Sequence, residues 1–418
     1  MNRILIFIFA TILNLHAIDA TMQIIKQKST LPNISVVLSE HTKLGDDIVK
    51  LIEKDLLVSG HFNVSEFKLA TDFQTIVNYK NLEQNGIDLN LVLKLRRENG
   101  SLVVDTKLYD INSLKLVSSK SYSTSLDARY PFLAHKISID TNRYLNAPSI
   151  DWMDKFVIFS RYQSSKTSQI VVSDYTLTYQ TVVVEGGLNI FPKWANDKQD
   201  SFYYTTYNYE TPTLVSQNLY TKQRKKLLSS DGMLVCSDVS DDGSKLVLTM
   251  APNSQPDIYV YDVNTGIKTR ITSYRGIDVG GSFVENDKKI VFVSDRLKYP
   301  NIFAKQIGSK GVERLIYHGK NNSQCSTFDD YIVYASRETD NEFGGNTFNL
   351  YLISTKSDYV RRLTTIGRNQ FPKFSNDGES ILFIKNDDSQ SYLGIIRINY
   401  NKSFLFPLKS GKLQSIDW

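Results

Sequence analysis

The chain has 418 residues, 41% hydrophobic and 22% charged, with a formal net charge of +5. These are ordinary values for a soluble globular protein of two or three domains. The charge is small for the length and spread along it, which argues against nucleic acid or a membrane surface as the partner. Two cysteines, Cys236 and Cys325, and five histidines show no metal-ligand spacing, so neither a metal nor a cofactor is expected. The 24 Tyr and 21 Phe suit sheet surfaces.

At the N-terminus, Arg3 precedes a nearly unbroken apolar run from Ile4 to Leu15, and Ala17 and Ala20 offer small residues for cleavage. This is the architecture of a secretory signal over residues 1–20, cut after Ala17 or Ala20, and it falls short of the ~20 apolar residues that span a bilayer. No Cys follows it, so lipoprotein processing is not expected, and the mature chain is expected to be exported. Residues 21–33 show no packing partner and read as a tail.

Residues 34–146 read as a compact α/β domain with a mainly antiparallel sheet. Ile34-Ser35-Val36-Val37-Leu38 is strand-like, and residues 44–58 place Ile48, Leu51, Ile52, Asp55 and Leu56 at helical spacing. Residues 89–95 and 102–109 form a hairpin through Glu98-Asn99-Gly100. A third strand follows at 116–123 and a second helix at 130–145.

From residue 147 to 418 the sequence repeats every 42–49 residues. Each repeat has an apolar run such as Ile290-Val291-Phe292-Val293-Ser294, preceded by a polar turn such as Asp242-Gly243 or Asp377-Gly378. Such turns tolerate the positive φ of tight hairpins. One four-stranded sheet per repeat leaves both faces wet, and stacking the sheets around an axis buries them, which gives a β-propeller. Five repeats carry their own inner strand, at residues 191–195, 235–240, 281–285, 324–328 and 371–375. The first lacks one, and residues 413–418 are an inner strand with nothing after it. The expectation is an α/β N-terminal domain plus an all-β six-bladed β-propeller closed by the C-terminal strand, with no exposed edge at the seam. Cys236 and Cys325 then lie in non-adjacent blades, so a disulfide is not expected.

No reaction machinery is visible. There is no Gly-x-Ser-x-Gly elbow, the acidic turns lack the spacing of a sialidase-type box, and His41, His61, His135 and His318 fall in separate elements. The chain therefore reads as non-enzymatic. The rival reading is an exported lactonase-like or glycan-cleaving propeller with a metal or paired carboxylates in the channel. A lectin-like propeller would need equivalent aromatic and polar groups in every blade, and the loops vary too much. What a propeller offers instead is a ring of loops entering the inner strands at one end of the channel. Here they lie near Leu188 and Asn189, Gly232 and Met233, Val279 and Gly280, Asn322 and Ser323, and Asn369 and Gln370. Six loops can supply the ~1,200–2,000 Å² that a specific protein interface buries.

The stretch Leu102-Val103-Val104-Asp105-Thr106-Lys107-Leu108-Tyr109-Asp110, the junction at 144–161 and the turn block Ser240-Asp241-Asp242-Gly243-Ser244-Lys245-Leu246 occur in an order that resembles the TolB family. The resemblance covers essentially the whole mature chain. It implies a periplasmic, non-enzymatic adaptor of the Tol–Pal system, supporting outer-membrane integrity and constriction during cell division. It further implies that the channel mouth binds the lipoprotein Pal near Met233, Cys236 and Val279. By the same resemblance, residues just after the signal contact TolA and switch the Pal-binding state. Ile18, Asp19, Met22, Ile24 and Ile25 are the candidates for that switch, and other outer-membrane proteins are further possible partners.

Overall fold

The computed structural model describes residues 31–319, 321–338, 347–357 and 359–418. The signal segment and most of the tail, with Ile18, Asp19, Met22, Ile24 and Ile25, lie outside the described residues. No helix among the described residues is long and apolar enough to cross a membrane.

The first element, β1 (Asn33–Leu38), leads into α1 (Lys43–Ser59), whose N-terminus is capped by the Thr42 hydroxyl accepting the Gly45 N–H at 3.1 Å. Ile48, Leu51, Ile52 and Leu56 form its buried stripe, and Asp55 sits on the same face, also fully buried. After β2 (Asn63–Val64) and a short α2 (Tyr79–Gln84), strands β3 (Leu89–Glu98), β4 (Ser101–Asp110) and β5 (Lys115–Thr124) form a meander, closed by α3 (Tyr130–Tyr144). The β3–β4 turn places Asn99 and Gly100 at positive φ, as the two-residue hairpin requires. The sheet order is β2-β1-β3-β4-β5. The sheet is more parallel than the sequence suggested, since β1 pairs in parallel with both β2 and β3. The reason is connectivity: α1 carries the chain back across the sheet, so the next strand must run in the same direction.

From Val157 on, the described residues form six four-stranded blades, with strands A to D running outward from the channel. Blades two to six begin with A strands Asn189–Trp194, Leu234–Val239, Asp278–Val284, Asn322–Phe328 and Arg368–Phe374. A single bridge between Phe348 and Arg368 links blades five and six. In blade one the A strand is Lys412–Asp417, paired antiparallel with Val157–Tyr162, so the two ends of the propeller sequence share one sheet. This is the closure expected from the sequence.

In every blade the register between strands A and B shifts by a bulge. Phe191, Gln324 and Phe371 adopt φ of 54°, 52° and 52° there, and Gly280 takes 63°. The bulge turns inner-strand N–H groups toward the neighbouring blade, where side chains meet them. Asp417 accepts the Trp194 N–H at 2.9 Å, Asp238 accepts Phe283 N–H at 2.9 Å, and the Gln324 side-chain carbonyl accepts Phe371 N–H at 3.0 Å. Thr327 Oγ1 donates to the Phe283 carbonyl at 3.1 Å, Lys193 Nζ lies 3.3 Å from Asp238, and Trp418 Nε1 donates to the Phe374 carbonyl at 2.7 Å. Side chains thus latch each blade to the next where no backbone ladder does.

Cys236 and Cys325 are free and buried. Burial pushes both thiols up, Cys325 to about 12, so neither supplies a thiolate at neutral pH. Native protein is expected to leave a thiol reagent such as DTNB unreacted, and denatured protein to react at both cysteines. Rapid native labelling would contradict this packing.

Candidate functional site: the two mouths of the channel

The loops that enter the A strands form one mouth. Their shape comes from asparagines at the strand starts. Asn189 Nδ2 donates to the Gly186 carbonyl at 2.8 Å, Asn322 Nδ2 to His318 at 2.8 Å and Asn369 Nδ2 to Ile366 at 2.9 Å. In blade four Asp278 does the equivalent work by holding Arg296 Nη2 at 3.1 Å from both its oxygens. These loops turn apolar side chains outward: Met233 is 45% exposed, Ile277 48%, Ile366 53% and Tyr317 76%. Four successive blades therefore each raise one apolar residue at the same mouth. Water contact of that kind is costly for the free protein and is relieved by a partner.

The residues expected at this mouth divide into two groups. Asn189, Asn322 and Asn369 are buried and hold the loops, and Cys236 is buried in the wall, where its thiol cannot meet a partner. Leu188, Gly232, Val279, Gly280, Ser323 and Gln370 are half-buried, and Met233 is exposed. The sequence reading passed over Ile277, Tyr317 and Ile366. Their signal was available: each is an apolar residue in a polar or glycine-containing turn just before an A strand.

At the opposite mouth, where strands A turn into strands B, a cavity of about 790 Å³ opens. Strand register identifies one residue per blade that girdles it: Asp417, Lys193, Asp238, Ser282, Ser326 and Lys373, in ring order. Lys193 Nζ stands 2.9 Å from Asp417 and 3.3 Å from Asp238. Burial alone would pull its pKa down, but the two carboxylates hold it above the usual lysine range. The sequence carried this girdle in the repeated runs Asn189-Ile190-Phe191-Pro192-Lys193 and Asn369-Gln370-Phe371-Pro372-Lys373, which were not singled out.

A third polar cluster joins the two domains. Asp55 of α1, fully buried, accepts the Tyr175 hydroxyl at 2.6 Å and Ser138 Oγ at 3.0 Å, and faces His135 Nδ1 at 2.8 Å. His135 Nε2 lies 3.3 Å from Asp174 of blade one. With carboxylates on both ring nitrogens, His135 is the imidazolium. Beside it, His61 contacts Asn142 at 2.5 Å and the Tyr400 hydroxyl of blade six at 2.6 Å. Val58 and Ile139 of the α/β domain share one apolar cluster with Trp152, Tyr175, Leu408 and Ile416 of the propeller. Among the described residues no group of three or more His, Cys, Asp or Glu is placed to hold a metal.

These features define a class: a closed six-bladed propeller bearing a clamped α/β domain, with one mouth that exposes apolar side chains and one that is polar. Comparison with known proteins then narrows it. Residues 20–117 match the TolB amino-terminal domain and residues 154–418 the TolB beta propeller domain. The chain is 50% identical to the Tol-Pal system protein TolB of Wolinella succinogenes, with 100% of each chain covered. It is 47% identical to that of Helicobacter hepaticus, with 97% of each covered. Its fold matches the crystal structure of TolB from Acinetobacter baumannii with a TM-score of 0.78 at 20% identity, over 93% of this chain and 96% of that one. The chain belongs to the TolB family, and it is a non-enzymatic component of the Tol–Pal system.

Proposed function

We propose that this protein is a periplasmic adaptor that binds the lipoprotein Pal at the entry mouth of its propeller. TolA binds through the N-terminal segment, and the pair of contacts supports outer-membrane integrity and constriction at division. In this reading residues 1–20 are the export signal, 21–33 the tail, 34–146 the α/β domain and 147–418 the propeller. Ile18, Asp19, Met22, Ile24 and Ile25 carry the TolA contact or the switch. Other outer-membrane proteins are further partners.

The observation that supports the reading is the arc of Met233, Ile277, Tyr317 and Ile366, one exposed apolar residue on each of four adjacent entry loops. A central apolar patch with a polar rim is what a protein interface presents, and a few such anchors carry most of the affinity. For the tail to control that mouth, its docked and free forms must differ in affinity for Pal.

The test is capture of purified Pal by the mature protein. A Met233→Glu/Ile277→Glu variant is expected to lose at least ~30-fold in affinity, the scale of ~2 kcal/mol for a hot-spot residue, with its melting temperature unchanged. Capture at the wild-type level would move the Pal site off this mouth.

A further inference from the structure

The girdle at the opposite mouth is not evenly neutralised. On one side Asp417, Lys193 and Asp238 form a chain of ion pairs. On the other, Lys373 stands between Ser326 and Asp417 in ring order, with Ser282 one place beyond Ser326, and its ammonium makes no ion pair or hydrogen bond of its own among the described residues. Burial, and then the nearby Lys193 charge, pull its pKa below the ordinary lysine value; Asp417 and Asp238 raise it, but not enough to offset burial, so its ammonium is only partly compensated. Ser282 and Ser326 are buried, and both line the same cavity. One ammonium and two hydroxyls on one side of a cavity make a donor set for a carboxylate.

The rim has the opposite character. The cavity lining holds eight carboxylates against four lysines, a formal charge of −4, with Asp241, Asp287 and Asp329 on the turns at its edge. Burial raises the Asp287 carboxyl, and the nearby Asp241 and Asp242 raise it further, so that edge is short of cations. A simple anion is repelled there, and a simple cation finds the floor already occupied by lysines. A ligand with a carboxylate at one end and an ammonium at the other satisfies both. Along a blade the girdle and rim positions are three residues apart, as from Asp238 to Asp241. The strand ends at Val239 and Asp241 lies in the turn beyond it, so at ~3.3 Å per residue this is at most ~10 Å. An extended tripeptide spans the same length at ~3.3–3.6 Å per residue. The cavity of about 790 Å³ lies within the ~300–1,000 Å³ of ordinary ligand sites.

We propose that the hairpin-side mouth of the channel binds short zwitterionic peptides of about three residues. The C-terminal carboxylate rests on Lys373, Ser282 and Ser326, and the N-terminal ammonium lies among the rim carboxylates. The site is separate from the apolar mouth and does not depend on what binds there.

The probe is trialanine, titrated calorimetrically into the mature protein at low salt and compared with its C-terminal amide and its N-acetyl form. Each blocked form is expected to bind about tenfold or more weakly, the loss of one charge-assisted contact. Lys373→Met, which removes a half-buried charge and leaves every inter-blade latch in place, is expected to abolish the preference for the free carboxylate. Ser282→Ala/Ser326→Ala is expected to reduce it. Equal binding of trialanine and its amide, an unchanged preference in Lys373→Met, or no heat with trialanine in a folded protein would each overturn the proposal.

Discussion

Removing residues 412–418 is expected to lower the melting temperature of the propeller by more than ~10 °C and to make the protein aggregate on heating. The segment supplies strand A of blade one, and without it Val157–Tyr162 becomes an open edge. An unpaired strand edge is a template for association. Leu413 and Ile416, both buried in the cluster that joins the domains, are lost as well. Burial of side chains of that size is worth ~2–5 kcal/mol each when truncated. Two latches disappear too: Asp417 from Lys193 and the Trp194 N–H, and Trp418 from the Phe374 carbonyl. Asp417→Ala isolates the polar part. It leaves a buried N–H unmet and Lys193 with only Asp238, and is expected to cost ~3 kcal/mol. A truncated chain that melts like the full one would mean that the ring holds without its seam.

The second large effect is expected at the clamp between the domains. Asp55→Ala removes the carboxylate shared by Tyr175, Ser138 and His135 and leaves a buried imidazolium with Asp174 alone. Breaking such a buried pair costs ~3–5 kcal/mol. Because its partners lie on both domains, calorimetry should resolve one transition into two, with cleavage by protease appearing near residues 145–150. A single transition at the wild-type temperature would show that apolar packing alone joins the domains.

The clamp also has a pH signature. Burial on its own lowers the His135 pKa, but the Asp55 and Asp174 carboxylates outweigh it and hold it up at about 10. A histidine raised above its unfolded value of ~6.5 contributes fully below that pH and loses its contribution as pH climbs toward the folded value. Burial raises Asp174, but His135 and the Thr176 and Tyr179 contacts lower it further, so its net pKa is depressed. Its contribution is present above ~3.9 and fades as pH falls below that. The clamp is therefore tightest between about pH 4 and 6.5, and the difference in stability between wild type and Asp55→Ala should shrink as the medium becomes alkaline.

What the sequence determined by itself was whatever rests on local pattern repeated many times. The blade period, the Asp-Gly turns and the unpaired inner strand at residues 413–418 were enough to specify six blades and a closed seam, because each is a short-range signal and the count forces the closure. The helix containing Ile48, Leu51, Ile52 and Leu56 was legible for the same reason. The parallel pairing of β1 was not, since alternation of apolar residues is the same for either strand direction.

Only the tertiary structure decided which residues act together. Asp55 stood in an apolar helical stripe and His135 in a second helix, 80 residues apart, and neither could be read as a clamp until Asp174 and Tyr175 of blade one came to meet them. Ring order likewise set Lys193 between two aspartates that it pairs with, and Lys373 between Ser326 and Asp417 with no ion pair of its own, though the runs that carry them are nearly identical in sequence. The physical reason is that a charge takes its meaning from its neighbours within a few ångströms. In a propeller those neighbours come from the next blade, some forty residues away along the chain or, at the seam, from its other end.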